Sequence, residues 1–167
     1  MPPSSRSDSF EALLRPHLDR LYRLAYRFTG ARADAEDLVQ ELCVRLYPRL
    51  DELQALDSPA PWLARALHNL FVDQVRRQGR SPVEAVDELP DVPSTRPGPE
   101  DQVLRELTLE RLEAALARLP AEQRAVLAWH DIEGYTLEEL ADSRDLPLGT
   151  LKSRLHRGRE ALKRLLR

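Results

Sequence analysis

Cysteine is almost absent from this chain of 167 residues, which contains Cys43 alone. A single cysteine excludes an internal disulfide and a multi-cysteine zinc site. The four histidines, at positions 17, 68, 130 and 156, are far apart and share no metal-ligand spacing. We therefore expect no metal and no other cofactor, and we interpret Cys43 as a small core residue rather than a redox sensor.

Long hydrophobic runs are also missing, since no stretch of 18 or more apolar residues occurs. This excludes a membrane-spanning helix and predicts no membrane insertion. The first ten residues, MPPSSRSDSF, lack the apolar segment of an export signal. We therefore expect a cytoplasmic protein.

Net positive charge is concentrated at one end of the chain. The formal net charge is −3, yet residues 147–167 contain seven basic residues and one acidic residue, a local charge of +6. Residues 81–107 contain two basic and seven acidic residues, a local charge of −5. Such asymmetry indicates a nucleic-acid contact on one defined element rather than a diffuse basic coat.

Apolar residues recur at helical spacing throughout, and no convincing alternating strand is present. The pattern predicts a first helix from Phe10 to Phe28 that stops near Gly30, a second around Leu38–Leu53, and a third that begins at Pro59. Pro48 should kink or shorten the second helix. The fold class is therefore predicted as all-α, with these three helices closing one small core.

Five prolines between Pro82 and Pro99 interrupt the helical pattern. Proline removes a backbone donor and disfavours helix at the preceding residue, so a continuous helix does not fit this stretch. We predict two small helical domains, at residues 8–80 and 102–167, joined by a flexible acidic linker at 81–101.

The C-terminal stretch has the pattern of a helix-turn-helix. Thr136 and Glu139 have the spacing of a capping box, so a short helix should start near Leu137. A break at SRDLP precedes a last helix that begins around 147–150. Its leucines share one side with Gly158, while polar and basic residues occupy the other side. An ordinary solvated helix face would look similar, but the capped helix and the break favour DNA binding.

Three segments resemble one family, the bacterial extracytoplasmic-function RNA polymerase sigma factors (sigma-70 family, group four). LPAEQRAVLAWHDIEGYTLEELA and PLGTLKSRLHRGREAL resemble its region four. DAEDLVQELCVRLY (34–47) resembles the core-binding stretch of region two, and PWLARALHNLFVDQVRRQGR (61–80) resembles its promoter-melting stretch. The order and the intervening linker also fit.

The resemblance implies a transcription initiation factor rather than an enzyme. Its partners would be core RNA polymerase, through a clamp coiled coil and a flap, and promoter DNA, both duplex and single-stranded. An anti-sigma factor is a further partner that many relatives have. The acidic linker would then lie in a polymerase channel built for nucleic acid, although a passive spacer explains its composition as well.

The resemblance also implies roles for particular residues. The −35 duplex would be read by the last helix, through Thr150, Lys152, Ser153, Arg154, His156, Arg157 and Arg159. The −10 element would be opened and held by Asp57, Ser58, Trp62, Asn69, Arg76, Arg77 and Arg80. Trp62 as a core residue and Asn69 as a cap or buried amide remain alternatives.

Core polymerase would dock on the outward side of the second helix. The apolar stripe of that helix centres near Leu46, and its opposite side carries Asp34, Asp37, Gln40, Glu41 and Val44. An acidic cluster with one apolar residue suits a basic coiled coil. Without the family resemblance, an ordinary solvated helix face would explain these residues better.

Two features depart from the family pattern. Ser143, Arg144 and Asp145 stand where two apolar residues and a glycine are common, and Pro48 is also unexpected. Because apolar contacts are lost at Ser143 and Arg144, the two helices of the helix-turn-helix are expected to pack less tightly. The turn itself can still form, since an Asp tolerates the left-handed backbone conformation.

Three alternatives to a sigma factor are a free-standing helix-turn-helix regulator, an enzyme, and an adaptor that occupies polymerase without initiating. A free-standing regulator would not explain the first helical domain or the DAEDLVQE segment. For an enzyme, we find neither a phosphate-binding glycine loop nor a nucleophile–base pair. A sigma factor should need core polymerase for specific DNA binding, whereas a free-standing regulator should not. A sigma factor should also support transcription, whereas an adaptor should not.

Overall fold

The computed structural model describes residues 5–79, 101–142 and 146–167, except for the side chains of 101–107. Within these residues the chain forms nine α-helices and no strand, so the all-α prediction is confirmed. None of the helices described has both the length and the apolar character needed to cross a bilayer. Arg80, the predicted linker up to residue 100 and the predicted turn at Ser143, Arg144 and Asp145 lie outside the described residues.

The N-terminal unit, residues 5–79, consists of five helices. They are α1 (Arg6–Leu14), α2 (Leu18–Thr29), α3 (Arg32–Leu46), α4 (Leu50–Gln54) and α5 (Pro59–Arg77). The prediction of one continuous helix up to Phe28 is wrong, because a 3-10 turn around Pro16 separates α1 from α2. A similar turn around Pro48 ends α3, as predicted.

The core of the N-terminal unit lies between α2, α3 and α5. Leu24, Leu38 and Leu67 are buried there, and Phe28 stacks on Phe71 with 5.4 Å between ring centroids. Gly30 ends α2 in the left-handed conformation (φ 74°), where a glycine has no steric cost. This turn brings α3 back along α2.

The C-terminal unit, residues 101–167, consists of α6 (Asp101–Ala117), α7 (Ala121–Leu127), α8 (Leu137–Asp142) and α9 (Leu148–Leu165). A π-helical turn, Ala128–Ile132, continues α7. The predicted capping box is confirmed: the Thr136 N–H donates to the Glu139 carboxylate at 2.8 Å, and the Glu139 N–H donates to the Thr136 hydroxyl at 3.1 Å. Both bonds satisfy orphan groups at the start of α8.

Helix α9 packs mainly on α7 and α8. Leu151 and Leu155 are buried, and a Cβ on Gly158 would lie 3.4 Å from the Gln123 carbonyl oxygen of α7. The small residue at 158 therefore allows α9 to approach α7 closely. This leaves the polar side of α9 facing outward.

The two units also pack against each other, which the sequence did not lead us to expect. The Gly30 turn lies against Ala117 of α6, and the buried side chain of Arg124 reaches the end of α2.

Candidate nucleic-acid and protein interfaces

In the N-terminal half of α9, the outward side is polar, and its charged side chains are all basic. Lys152, Ser153, His156 and Arg157 are exposed, and Thr150 is half-buried in the first turn. Neither Lys152 nor Arg157 has an ion-pair partner within the described part of the chain. These side chains are therefore free to meet phosphates or base edges.

The two remaining arginines predicted for the −35 contact are already engaged. Arg154 pairs with Glu122 at 2.7 Å, and its side chain is only 15% exposed. Arg159 donates two hydrogen bonds to Asp131, at 2.8 and 2.5 Å. The hydrogen bond from Arg159 lowers the pKa of the Asp131 carboxyl, so the pair stays charged at neutral pH. Both arginines orient α9 against α7 and its π turn.

A second surface lies along α5. Trp62, Asn69 and Arg76 are spaced seven residues apart, so each lies only about 20° from the last around the helix and about 10.5 Å further along it. Trp62 and Asn69 are half-buried and Arg76 is exposed. The helix thus carries an aromatic ring, an amide and a guanidinium along one line, and aromatic and cationic groups are those that contact single-stranded nucleic acid.

Other residues predicted for this site flank the line. Asp57 and Ser58 are exposed in the loop before α5, and Arg77 is exposed at its end. The Arg77 Nε donates to the Asp73 carbonyl at 3.4 Å.

Arg49 belongs to the same surface, although no motif in the sequence pointed to it. Its guanidinium lies 5.1 Å from the ring centroid of Trp62, a cation–π distance. Glu52 holds Arg49 through bonds of 2.6 and 3.1 Å from the guanidinium. The only sequence signal is the i, i+3 spacing of Arg49 and Glu52, which is common on helices.

The outward side of α3 carries the predicted protein-docking residues. Asp34, Asp37 and Gln40 are exposed, and Val44 is 73% exposed, an unusual position for a valine. Glu41 is partly buried, because it accepts a hydrogen bond from Gln74 at 2.6 Å and pairs with Arg45 at 2.6 Å. The structure therefore places four of the five residues on an open surface and Glu41 at its edge.

Cys43 lies on the other side of α3 and is half-buried. Burial raises the pKa of its thiol, which disfavours the reactive thiolate. The burial of Cys43 therefore supports its interpretation as a small core residue rather than a redox sensor.

Comparisons with known proteins match both units to one family. The family model for Sigma-70 region 2 matches residues 13–81, and that for Sigma-70 region 4 matches residues 109–162. Among curated proteins, the ECF RNA polymerase sigma factor SigE of Mycolicibacterium smegmatis is 45% identical over 93% of this chain. The chain spans only 60% of the length of that relative.

Other relatives match over most of their length. SigL of Mycobacterium tuberculosis is 33% identical, over 91% of this chain and 85% of the relative. SigW of Bacillus subtilis is 29% identical, over 96% of this chain and 90% of the relative.

A solved structure is similar as well. It is the sigma factor RpoE in complex with the anti-sigma factor NepR from Bartonella quintana, with a TM-score of 0.63, 27% identity, and coverage of 94% of this chain and 96% of RpoE. Proteins that share these regions are transcription initiation factors and not enzymes. This chain belongs to the sigma-70 family and, within it, to the ECF RNA polymerase sigma factors.

Proposed function

We propose that this chain binds core RNA polymerase in the cytoplasm and directs promoter-specific initiation, reading a −35 duplex with α9 and opening a −10 element with the N-terminal unit. The observation that carries the proposal is the presence in one chain of a cationic helix-turn-helix surface and an acidic–apolar helix surface, on separate units. The first suits DNA and the second suits a basic protein.

Helix α9 is the proposed −35 reader. It begins after the break that follows α8, and its leucines hold it on α7 and α8 while its exposed side faces solvent. Such a helix presents its N-terminal residues to base edges in the major groove. Thr150, Lys152, Ser153, His156 and Arg157 are the proposed contacts, with Arg154 and Arg159 positioning the helix.

The α5 line is the proposed −10 site. Trp62 would stack with an unpaired base, Asn69 would hydrogen-bond a base edge, and Arg76 with Arg77 and Arg80 would hold phosphates. Asp57 and Ser58, in the loop before α5, would border the same base.

Magnitudes decide which molecule opens the DNA. Separating about ten base-pair steps at about 1.4 kcal/mol each costs on the order of 14 kcal/mol. Capture of one unstacked base returns about 1–3 kcal/mol. The chain alone is therefore too weak to melt a promoter, and core polymerase must supply the remaining free energy.

Polymerase docking is assigned to the α3 surface formed by Asp34, Asp37, Gln40, Glu41 and Val44. A clamp coiled coil with basic residues around an apolar seam would complement these carboxylates and the exposed valine. The C-terminal unit would meet the polymerase flap. Because RpoE was solved with NepR, an anti-sigma factor is a further proposed partner of this chain.

The proposal is tested by mixing the purified chain with core polymerase and a genomic promoter library. We expect the chain to co-elute with core polymerase and to yield discrete run-off transcripts, whose start sites share upstream −35 and −10 sequences. Specific DNA binding by the chain alone, without any affinity for core polymerase, would contradict it and support a free-standing regulator. Binding to polymerase without transcripts would instead support an adaptor.

A further inference from the structure

Arg49 lies on the surface along α5, but the proposed function gives it no role. Its guanidinium lies over the indole of Trp62, with 5.1 Å between Cζ and the ring centroid. Trp62 is half-buried in the first turn of α5 and packs against the hydrophobic core. Because the core takes the inner side of the indole, Arg49 covers its outward side.

Glu52 holds the guanidinium of Arg49 by its edge. Nε and Nη2 of Arg49 donate to the same carboxylate oxygen, at 3.1 and 2.6 Å. The hydrogen bond from Arg49 lowers the pKa of the Glu52 carboxyl, so both groups are charged at neutral pH. A guanidinium bonded through its N–H edge keeps its flat faces for stacking. Trp62 lies on one side, and the other side is open to solvent, since the Arg49 side chain is 49% exposed.

The turn that carries Arg49 is fixed by α1. Arg6 donates to the Pro48 carbonyl at 3.2 Å and pairs with Asp51 at 3.4 Å. The Arg6 guanidinium also lies 6.0 Å from the ring centroid of Tyr47. Contacts on both sides of Arg49 therefore hold the turn, which limits the positions that this side chain can take over Trp62.

This arrangement suits the capture of a flat, unpaired base. Bases stack on arginine guanidinium planes as well as on aromatic rings. A base that stacked directly on the outward side of Trp62 would have to displace Arg49 and break its bonds to Glu52. A base that stacks on Arg49 keeps both the bonds to Glu52 and the cation–π contact with the indole.

We propose that Arg49 is a base-stacking residue of the −10 site, and that an unpaired base of the −10 element stacks on the open side of its guanidinium, with Trp62 behind it. The inference rests on the proposed function and refines the contact proposed for Trp62, which then acts through Arg49. Glu52 balances the charge of Arg49, so the contact adds stacking rather than attraction to a phosphate.

The contact between Arg49 and Trp62 is tested first in the free chain, by quenching of tryptophan fluorescence with acrylamide. The chain contains two tryptophans, and Trp129 is only 1% exposed, so quenching reports mainly on Trp62. Arg49→Ala removes the guanidinium. Arg15→Ala is the matched control, because Arg15 also lies in a 3-10 turn beside a proline and is bonded to a glutamate, Glu11.

We expect acrylamide to quench R49A more strongly than wild type, and R15A to the same degree as wild type. Equal quenching in wild type and R49A would show that Arg49 does not cover Trp62 and would overturn the proposal. Helix content from circular dichroism verifies that the variants are folded.

The stacking role is tested with the complex of the full chain and core polymerase. The probe is a fluorescein-labelled single-stranded oligonucleotide with the non-template −10 sequence of a promoter from the run-off library, and the readout is fluorescence anisotropy. We expect R49A to bind the probe about fivefold more weakly than wild type, and R15A to match wild type. Arg49→Lys keeps the charge but lacks the flat surface, so it should lose about as much as R49A.

The salt dependence of binding separates stacking from a phosphate contact. The slope of log affinity against log salt should be the same in R49A and wild type, whereas loss of one phosphate contact would reduce it by about 0.7. A reduced slope, wild-type affinity in R49K or R49A, or tighter binding by R49A would each overturn the stacking role. If the wild-type complex does not bind the probe, the proposed function fails and the stacking role with it, while quenching in the free chain still decides the contact.

Discussion

The outward faces of α3 and α9 are built on the same plan but carry opposite charges. In each helix, leucines cover the inner side: Leu38 and Leu42 in α3, and Leu151 and Leu155 in α9. The outer side of α3 carries carboxylates around Val44, whereas that of α9 carries Lys152 and Arg157. The apolar side of each helix therefore reveals where it packs, and the charge of the outward side is what separates the proposed protein-binding surface from the proposed DNA-binding surface.

The two units also differ in how many of their surface charged side chains are bonded to other residues of the chain. Around α9, Arg154 and Arg159 are bonded to carboxylates of the same unit, which orients the helix and leaves a smaller set of cations for DNA. On α3, Asp34 and Asp37 are exposed, whereas Glu41 is bonded to Gln74 and Arg45 within the described residues. The α3 surface thus keeps most of its charge available, as docking of a basic partner requires.

The largest effect is expected from reversing a charge on α3. Asp37→Arg places a cation against a basic coiled coil, and like charges across an interface cost several kcal/mol. We expect affinity for core polymerase to fall by about a hundredfold, measured by titration with labelled core enzyme. The matched control is Glu36→Arg, an exposed neighbour outside the proposed surface, which should change affinity little. Equal losses in both variants would show that net charge, and not the α3 surface, drives binding.

A smaller effect is expected from α9. Arg157→Ala removes an exposed cation from the proposed reading surface, and such a contact contributes about 1–3 kcal/mol. We expect binding of a −35 duplex to weaken by about tenfold, with polymerase affinity unchanged, measured by fluorescence anisotropy at fixed salt. Arg164→Ala, in the last turn of α9, is the control. Loss of polymerase affinity in R157A would contradict the proposal that α9 binds DNA and α3 binds polymerase.

Much of the fold follows from the sequence because its signals are local. Gly30 ends α2, Pro48 ends α3, and Thr136 with Glu139 caps α8, and each of these depends on residues within one turn. Pro16 was the exception: the apolar spacing continues past it, so periodicity alone predicted one helix where two exist.

The contact between the units could not be predicted in the same way. Arg124 and Glu133 bind groups about a hundred residues away in the chain, and no spacing rule connects them. Arg49 over Trp62 is a similar case, because the contact joins the turn around Pro48 to the start of α5, and no sequence pattern connects these two segments. For DNA and polymerase contacts, family resemblance selected the residues, and the structure shows which of them are exposed.

A still smaller effect should distinguish the folding of the two units. Thr136→Ala removes the hydroxyl that accepts from the Glu139 N–H, and loss of such a cap costs about 1 kcal/mol. We expect the free energy of unfolding of the C-terminal unit to drop by that amount in urea titrations, while amide exchange in the N-terminal unit is unchanged. Thr136→Ser keeps the hydroxyl and should be close to wild type. An equal loss in T136S would exclude the cap as the cause.

The smallest effect concerns the pH dependence of the pair between Asp131 and Arg159. Because this pair lowers the pKa of the folded Asp131, its stabilisation is present above the unfolded pKa of about 3.9 and is lost as the pH falls through the folded pKa. The pair is half-exposed, so we expect about 0.2–1 kcal/mol. Asp131→Asn should abolish this part of the acid-induced loss of stability, measured by urea titrations from pH 7 to pH 3. If the pH dependence of stability is unchanged in D131N, the acid-induced loss of stability comes from other carboxylates.

The most direct test of the account is permanganate footprinting of a promoter obtained from the run-off library, with the chain alone, core polymerase alone, and both together. Under the proposed function the chain recognises the promoter and captures a few bases but does not supply the free energy of strand separation, so reactive thymines around −10 should appear only when both are present. An open bubble with the chain alone, or a closed promoter with both proteins bound, would contradict the account.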